Sequence, residues 1–273
     1  MSGLGTWDLD PATLTAGAVA LAVYAQGFAR LRRRRRAYAP LWQAASFAAG
    51  VLVGVCAIVS PIDRIGEDEL LSMHMLQHLM LGDLAPLLVV LGLRGPLSVF
   101  AVPVGVLRAI ARSGAFRRVV AFLFRPRLAF AGWVAAVVGW HVPAAYDYAI
   151  EHPGVHVLEH VSFVVVGTLV WIQLVDPARH SRLSYGGRAA FGAAVFAVGM
   201  VLGEVLLATG SLYPHYADVA SRPFGWTAGE DQSKAALLMM GEQIATLGTA
   251  VAFLVWSHVE RVTELEPAGG SPG

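Results

Sequence analysis

The chain has 273 residues, of which 56% are hydrophobic and 14% are charged, and its formal net charge is +1. Soluble domains carry about 25% charged residues, so this composition excludes an ordinary soluble domain, and the single cysteine, Cys56, excludes an internal disulfide framework. Several apolar runs reach the roughly 20 residues needed to cross a bilayer, which predicts a polytopic membrane protein.

The apolar runs predict an all-α membrane helix bundle with seven transmembrane helices. In chain order they fall at about residues 12–30, 40–60, 69–92, 127–148, 154–175, 189–210 and 232–256. Residues 94–126 are broken by Gly and Pro and are rich in Arg, which predicts an amphipathic segment on the cytoplasmic surface of the membrane. Residues 1–260 are predicted to form a single membrane domain, and residues 261–273 a disordered tail.

The basic residues orient this bundle. If seven helices are threaded, all but three of the 20 Lys and Arg residues fall on one side of the membrane, the exceptions being Arg64, Arg222 and Lys234. Because cytoplasmic loops carry an excess of Lys and Arg, the N-terminus is predicted to be outside and the C-terminus cytoplasmic. The run RLRRRRR after the first helix is then a flank that stops membrane transfer, and no nucleic-acid partner is expected.

Seven of the nine histidines fall on the predicted outer side, and only His180 and His258 lie at the cytoplasmic side. The stretches HMLQHLML and EHPGVHVLEH place histidines four residues apart, on one face of a helix. The outer histidines are His74, His78, His141, His152, His156, His160 and His215. Polar residues inside a membrane are costly and are usually functional, so the cluster predicts a metal or cofactor site.

Several ligands fit such a cluster. Imidazole suits Zn, Cu, Fe and Ni, whereas thiolate and thioether ligands favour Cu(I). Cys56 and Met239 lie at a similar predicted depth, which favours copper. A zinc hydrolase with Glu159 as general base, a haem between paired histidines, and simple hydrogen bonding between helices remain alternatives; no H-E-x-x-H motif is present.

Three carboxylates also fall within predicted spans: Asp83, Glu204 and Glu242. Such residues mark ion or proton paths, which keeps a copper or proton transporter as a further alternative. Asp83 is about 140° round its helix from His78, so we expect it to face a different neighbour. Glu204 is expected to pair with Lys234 or to orient a histidine.

The stretches HMLQHLMLGDLAPLLVVLG, GWHVPAAYDYAIEHPGVHVLEHVSFVVVGTLVW and DQSKAALLMMGEQ together resemble the CtaG-type cytochrome c oxidase assembly proteins of Gram-positive bacteria. The resemblance covers roughly residues 40–260. It implies a protein of the bacterial cytoplasmic membrane that is not an enzyme and that helps to deliver or insert copper into a caa-type haem–copper oxidase. Its expected partners are oxidase subunits, the lipid bilayer and a soluble extracytoplasmic copper donor.

Carried over to this chain, the family's motifs correspond to His74, His78, His141, His152, His156 and His160, and to Asp231 and Gln232. We expect His74, His78, His156 and His160 to form the core of a Cu(I) site. His141 and His152 would then be entry or exchange ligands, with Cys56 and Met239 as further soft ligands. The residues expected to support these ligands are Glu159, Glu204, Asp231 and Gln232.

Overall fold

A computed structural model describes residues 7–178, 181, 183–217, 219 and 222–265. Helices make up 85% of the structure, and the described ranges contain no β-strand. The predicted all-helical fold class is therefore confirmed. His180 lies outside the described residues.

The helices follow in the order α1 Pro11–Arg34, α2 Leu41–Val59, α3 Pro61–Asp68, α4 Leu71–Gly92, α5 Leu97–Phe100, α6 Val104–Arg112, α7 Gly114–Leu123, α8 Pro126–Trp140, α9 Pro143–Glu151, α10 Pro153–Val175, α11 Tyr185–Ala208 and α12 Pro214–Ala217. The last helix, α13, consists of Ala228–Gln243, a π-helical segment at Ile244–Gly248, and Thr249–Leu265. A second π-helical segment, Met80–Leu84, lies within α4.

Six helices of the described chain are long and apolar enough to cross a membrane, namely α1, α2, α4, α10, α11 and α13. The number rises to seven if α7 and α8, which meet at a bend of 64°, form one broken span. Their outward faces are apolar: Val157, Val201 and Trp256 are 61%, 64% and 62% exposed. Such faces suit lipid, so the architecture is that of a multi-pass membrane protein.

The predicted fourth span at 127–148 is not one helix. Helix α8 ends at Trp140 with His141 as its C-cap, and α9 begins at Pro143. Proline disfavours helical backbone in the residue before it, and Val142 is accordingly extended, with ψ of 124°. The segment therefore turns at His141 instead of running straight.

Two further boundaries differ from the prediction. Helix α13 continues to Leu265, so the predicted disordered tail is wrong for residues 261–265. The segment 94–126 forms the three short helices α5, α6 and α7; its position on the membrane surface stays a prediction.

Helix α4 packs against both α10 and α13, and α4 and α10 are the most buried of the candidate spans. Near the N-termini of α4 and α13, Asp231 of α13 accepts hydrogen bonds from the backbone of α4. Farther along, Gly167 of α10 faces Gly82 of α4 so closely that a Cβ at Gly167 would lie 1.8 Å from the Gly82 carbonyl oxygen. Only glycine permits this approach, which brings the histidine-bearing faces of α4 and α10 together.

Candidate metal centre

Four histidines converge near the N-terminal ends of α4 and α10. His74 and His78 project from α4, His156 and His160 project from α10, and one ring nitrogen of each lies within 4.8 Å of the others. His74 is fully buried, and His78 and His156 are each 6% exposed. We call these four side chains the four-histidine centre. The i, i+4 spacing in each helix stacks two imidazoles on one face, and the two faces meet.

The closest contact within the centre joins His74 and His78. Their Nε2 atoms are 2.9 Å apart, and their rings meet edge to face. The second pair, His156 and His160, has ring centroids 4.1 Å apart. Ligand nitrogens that surround an ion at about 2 Å are separated by roughly 3.3 Å, so the 2.9 Å between the Nε2 atoms of His74 and His78 is close to the spacing in a metal site.

Hydrogen bonds outside the centre fix the tautomer of His74. The hydroxyl of Tyr216 donates to the carbonyl oxygen of Gly66 at 2.6 Å, so it has no proton left for His74. Nδ1 of His74, 3.1 Å from that hydroxyl, must therefore be the donor. A neutral imidazole carries only one proton, so Nε2 of His74 is an acceptor, facing Nε2 of His78 at 2.9 Å.

The carboxylate of Glu67 orients the ring of His156. Nδ1 of His156 lies 2.7 Å from a carboxylate oxygen of Glu67 on α3, which orients Nε2 towards the centre. That Nε2 is buried and has no hydrogen-bond partner among the described residues, and the same holds for Nε2 of His160 and Nδ1 of His78. Buried polar atoms without partners are rare in native proteins, and a bound cation would satisfy such nitrogens.

Glu159 lies beside these nitrogens. Its side chain is 1% exposed, and its carboxylate oxygens are 3.8 Å from Nε2 of His78 and 4.0 Å from Nε2 of His156. One of its oxygens, Oε1, has no hydrogen-bond partner in the described part of the chain. A carboxylate in this position offsets the charge of a bound cation and can complete its coordination.

We expect Tyr216→Phe to weaken metal binding by roughly 10–100-fold, the range typical of partners that orient ligating histidines. The substitution removes the acceptor that holds His74 Nδ1–H, so the ring can turn or change tautomer. Titration of the purified protein with Cu(I) against a competing chelator measures the change. Tyr148→Phe is the matched control, because Tyr148 is 53% exposed and its ring stacks on His152; an equal loss in both variants would contradict this role of Tyr216.

The structure does not bring the other predicted ligands into the centre. His141 is 7% exposed, its Nδ1 donates to the Val137 carbonyl oxygen at 2.7 Å, and its Nε2 has no partner among the described residues. It lines a chamber that also reaches His78. His152 is the N-cap residue of α10, but it is exposed, and its Nδ1 donates to the backbone carbonyl oxygen of Tyr148.

The two soft ligands also lie outside the centre. Cys56 is a free, partly exposed thiol in the last turn of α2 and does not join the group of potential ligands. Met239 is buried in an apolar cluster with Met75 and Tyr146, and it lines the same chamber as His78. Their roles as ligands stay predictions.

The supporting residues have clear structural positions. Asp231 is fully buried and accepts hydrogen bonds from Leu71 N, Ser72 N and Ser72 Oγ, so it caps the helix that carries His74 and His78. Gln232 donates to the Leu206 carbonyl oxygen and accepts from Leu212 N. Glu204, in contrast, is exposed and makes no ion pair within the described part of the chain.

Two supporting residues were missed from the sequence, Glu67 and Tyr216. Both lie between the predicted spans, Glu67 on the short helix α3 and Tyr216 on α12. Nothing in their spacing relates them to the histidines; only the return of both short helices over α4 places them there. His215 belongs to the same layer, since its Nε2 bonds the carbonyl oxygen of Glu67 at 2.8 Å.

Comparison with known proteins shows which family the chain resembles. A family model described as "Cytochrome c oxidase caa3 assembly factor (Caa3_CtaG)" matches residues 22–261. Uncharacterized proteins of Mycobacterium bovis and Mycobacterium tuberculosis are each 29% identical to the chain over 201 residues, which is 68% of this chain. The chain spans only 29% of the length of those relatives. No solved structure matches it.

Proposed function

Because the chain belongs to the family of cytochrome c oxidase caa3 assembly factors, we propose that it binds copper, as Cu(I), in the four-histidine centre and passes it to a haem–copper oxidase during assembly. The observation that carries this proposal is the convergence of four imidazole nitrogens within 4.8 Å. The cargo is the ion itself, so the protein is a donor and not an enzyme.

The ligands and the family membership together support copper as the bound ion. Imidazole alone also suits zinc and nickel, so the ligands do not select copper by themselves; the link to a copper-containing oxidase does. A site of imidazoles, with Cys56 and Met239 outside it, holds Cu(I) less firmly than a thiolate site would. Such a site suits transfer, because an acceptor with softer ligands would draw the ion away.

An entry route for the ion leads past α3. Glu67 is 39% exposed at its side chain and bonds His156, so it connects the surface to the centre. Asp63 lies on the same helix, where burial and the nearby Glu67 raise its pKa to about 6. These carboxylates form an acidic entrance, and the positive-inside distribution of arginines supports its placement on the outer side of the bacterial cytoplasmic membrane, facing an extracytoplasmic copper donor.

Two alternatives are less well supported. A haem needs space for its ring between two axial imidazoles, and the 2.9 Å contact between His74 and His78 leaves none between that pair. The absence of a Soret band in the purified protein would argue against the haem alternative. A copper transporter needs ligands along the whole bundle, and uptake of copper into proteoliposomes would favour it over a donor that works on one side.

The direct test is copper analysis of the protein and of the oxidase. We expect purified protein to bind one Cu(I) per chain. We also expect cells without the chain to assemble an oxidase depleted in copper, and His78→Ala/His160→Ala protein to fail to restore it. Full restoration by the double variant, expressed at equal level, would contradict the proposal.

Binding of Cu(I) is expected to weaken as the pH falls. The ligand is the neutral imidazole, and its ordinary pKa is about 6.5; below that value protons compete with the ion for the same nitrogens, whereas above it the affinity should level off. Competition with a Cu(I) chelator of known pH dependence, between about pH 8 and pH 5.5, measures this. A constant affinity over that range would contradict competition between protons and the ion for these nitrogens.

A further inference from the structure

Two carboxyl groups meet in the middle of the bundle, away from the four-histidine centre. Asp83 lies in the π-helical segment of α4, and Glu242 lies on α13, just before that helix's own π-helical segment. Both side chains line one chamber, and the hydroxyl of Thr246, one turn beyond Glu242, lies within hydrogen-bond distance of the Asp83 carboxylate. π-Helical segments are rare and often occur at functional sites, and here two of them flank one pair of acids.

The partners of the two carboxyls differ. Both oxygens of Asp83 accept hydrogen bonds, one from Trp171 Nε1 and the other from Thr246 Oγ1 at 3.0 Å. Both oxygens of Glu242 are buried and accept no hydrogen bond within the described chain, because the nearby Thr246 hydroxyl donates to Asp83. No Lys, Arg or His of the described residues forms an ion pair with either acid.

These surroundings require a proton. Two carboxylates cannot hydrogen bond to each other unless one carries a proton, because ionised carboxylates only accept. A second buried anion without a cation would also cost several kcal/mol in an apolar interior. Asp83, with two donors, suits the ionised member, and Glu242, with none, suits the protonated one.

A chamber links this pair to the four-histidine centre. It is lined at one end by His78 and His141, and at the other by Asp83, Glu242 and Gln243. Its volume is about 60 Å³, which is room for roughly four waters. The buried Nε2 of His141 and Oε1 of Gln243 have no partner among the described residues, and Gln243 is 6% exposed, so such waters would have polar contacts.

A second cavity begins on the far side of the pair. It has a volume of about 840 Å³ and is lined by Trp171 and Thr246, the two donors to Asp83, and by Arg94, Arg188 and Arg261. The hydrogen bonds of Asp83 therefore lie between a small, mostly apolar chamber on the histidine side and a large cavity with three arginines on the other.

We propose that Asp83 and Glu242 share one proton and form a proton-binding site connected through the chamber to the four-histidine centre, so that a cation entering the centre lowers the proton occupancy of the pair. The proton leaves Glu242 for the waters of the chamber, and the second carboxylate that remains offsets the added positive charge. The other titratable side chains facing the chamber are His78 and His141. The response to a cation rests on the function proposed above, whereas the shared proton does not.

Infrared spectroscopy of the metal-free protein in lipid tests the shared proton. We expect a carbonyl band of a protonated carboxylic acid that is lost in Glu242→Gln. In Asp83→Asn the band should remain but shift, because Glu242 loses its anionic partner. Glu151→Gln, at an exposed position, is the matched control. Glu159→Gln shows which part of the band comes from Glu159, the other buried acid. A carboxylic-acid region unchanged by Glu242→Gln would overturn the proposal.

Copper-induced difference spectra test the connection. Adding Cu(I) should reduce the Glu242 band in the native protein but not in His78→Ala/His160→Ala, which should keep the band itself. A Glu242 band that is unchanged by bound copper would overturn the proposed connection between the carboxyl pair and the four-histidine centre. If the native protein binds no copper at all, the proposed function fails, and the effect of Glu242→Gln on the metal-free spectrum still decides whether the pair holds a proton.

Discussion

Replacing His156 by alanine is expected to reduce Cu(I) affinity by more than about 100-fold, beyond what loss of an orienting partner costs. The variant removes a ligand nitrogen that has no other partner among the described residues. It also leaves the Glu67 carboxylate without the imidazole of His156, which it contacts in the native protein. Chelator competition, with circular dichroism to confirm the helical fold, measures the effect.

The neighbouring histidine provides a matched control. His152 is one turn earlier at the start of the same helix α10, yet it is exposed and lies outside the four-histidine centre. His152→Ala should therefore bind Cu(I) with nearly native equilibrium affinity, although loading could be slower if His152 is the entry ligand predicted from the sequence. Similar affinity losses in both variants would mean that the ion does not sit among the four converging nitrogens.

Replacing Asp231 by alanine is expected to destabilise the protein by roughly 3–5 kcal/mol. Hydrogen bonds to a charged group contribute about 1.5–3 kcal/mol each, and leaving buried donors unsatisfied adds to the loss. Asp231 accepts from two backbone amides and one hydroxyl at the start of α4. Thermal unfolding in detergent measures the stability, and copper titration at low temperature shows whether the released α4 still presents its histidines.

Glu230→Ala is the appropriate comparison for that variant. Glu230 is the neighbouring acid, but it is exposed and forms a capping box with Thr227 at the start of its own helix, α13. Its loss should lower stability less than the loss of Asp231 and should leave copper binding unchanged. Equal destabilisation by both variants would show that Asp231 acts within α13 alone and does not hold α4.

The sequence predicted the histidine rows because helical periodicity is a local property. The four-residue spacing in α4 and α10 placed His74 with His78 and His156 with His160, and hydropathy placed both pairs near one end of the bundle. Which faces meet depends on contacts between distant residues. The approach of Gly167 to Gly82 decides it, and neither glycine stands out among the 29 in the chain.

The contacts that support the histidines were not predicted from the sequence, for a related reason. Asp231 and Gln232 were identified through a family resemblance, whereas the helix that Asp231 caps begins 160 residues earlier, at Leu71, and nothing local to Asp231 indicates that contact. The break at His141 was missed because a hydropathy run continues smoothly through Pro143. Backbone geometry, rather than apolarity, ended helix α8 and left the His141 ring facing the chamber instead of the centre.

The tight crossing of Gly167 and Gly82 also limits how the centre can open. It lies seven residues below His160 and four below His78, about 10 Å and 6 Å along the respective helices. Because the two backbones are in contact at that point, separation of α4 and α10 at the N-terminal ends that carry the histidines would pivot about it. An ion held among the four histidines would then leave where those N-terminal ends open, next to Glu67 of α3, which contacts His156.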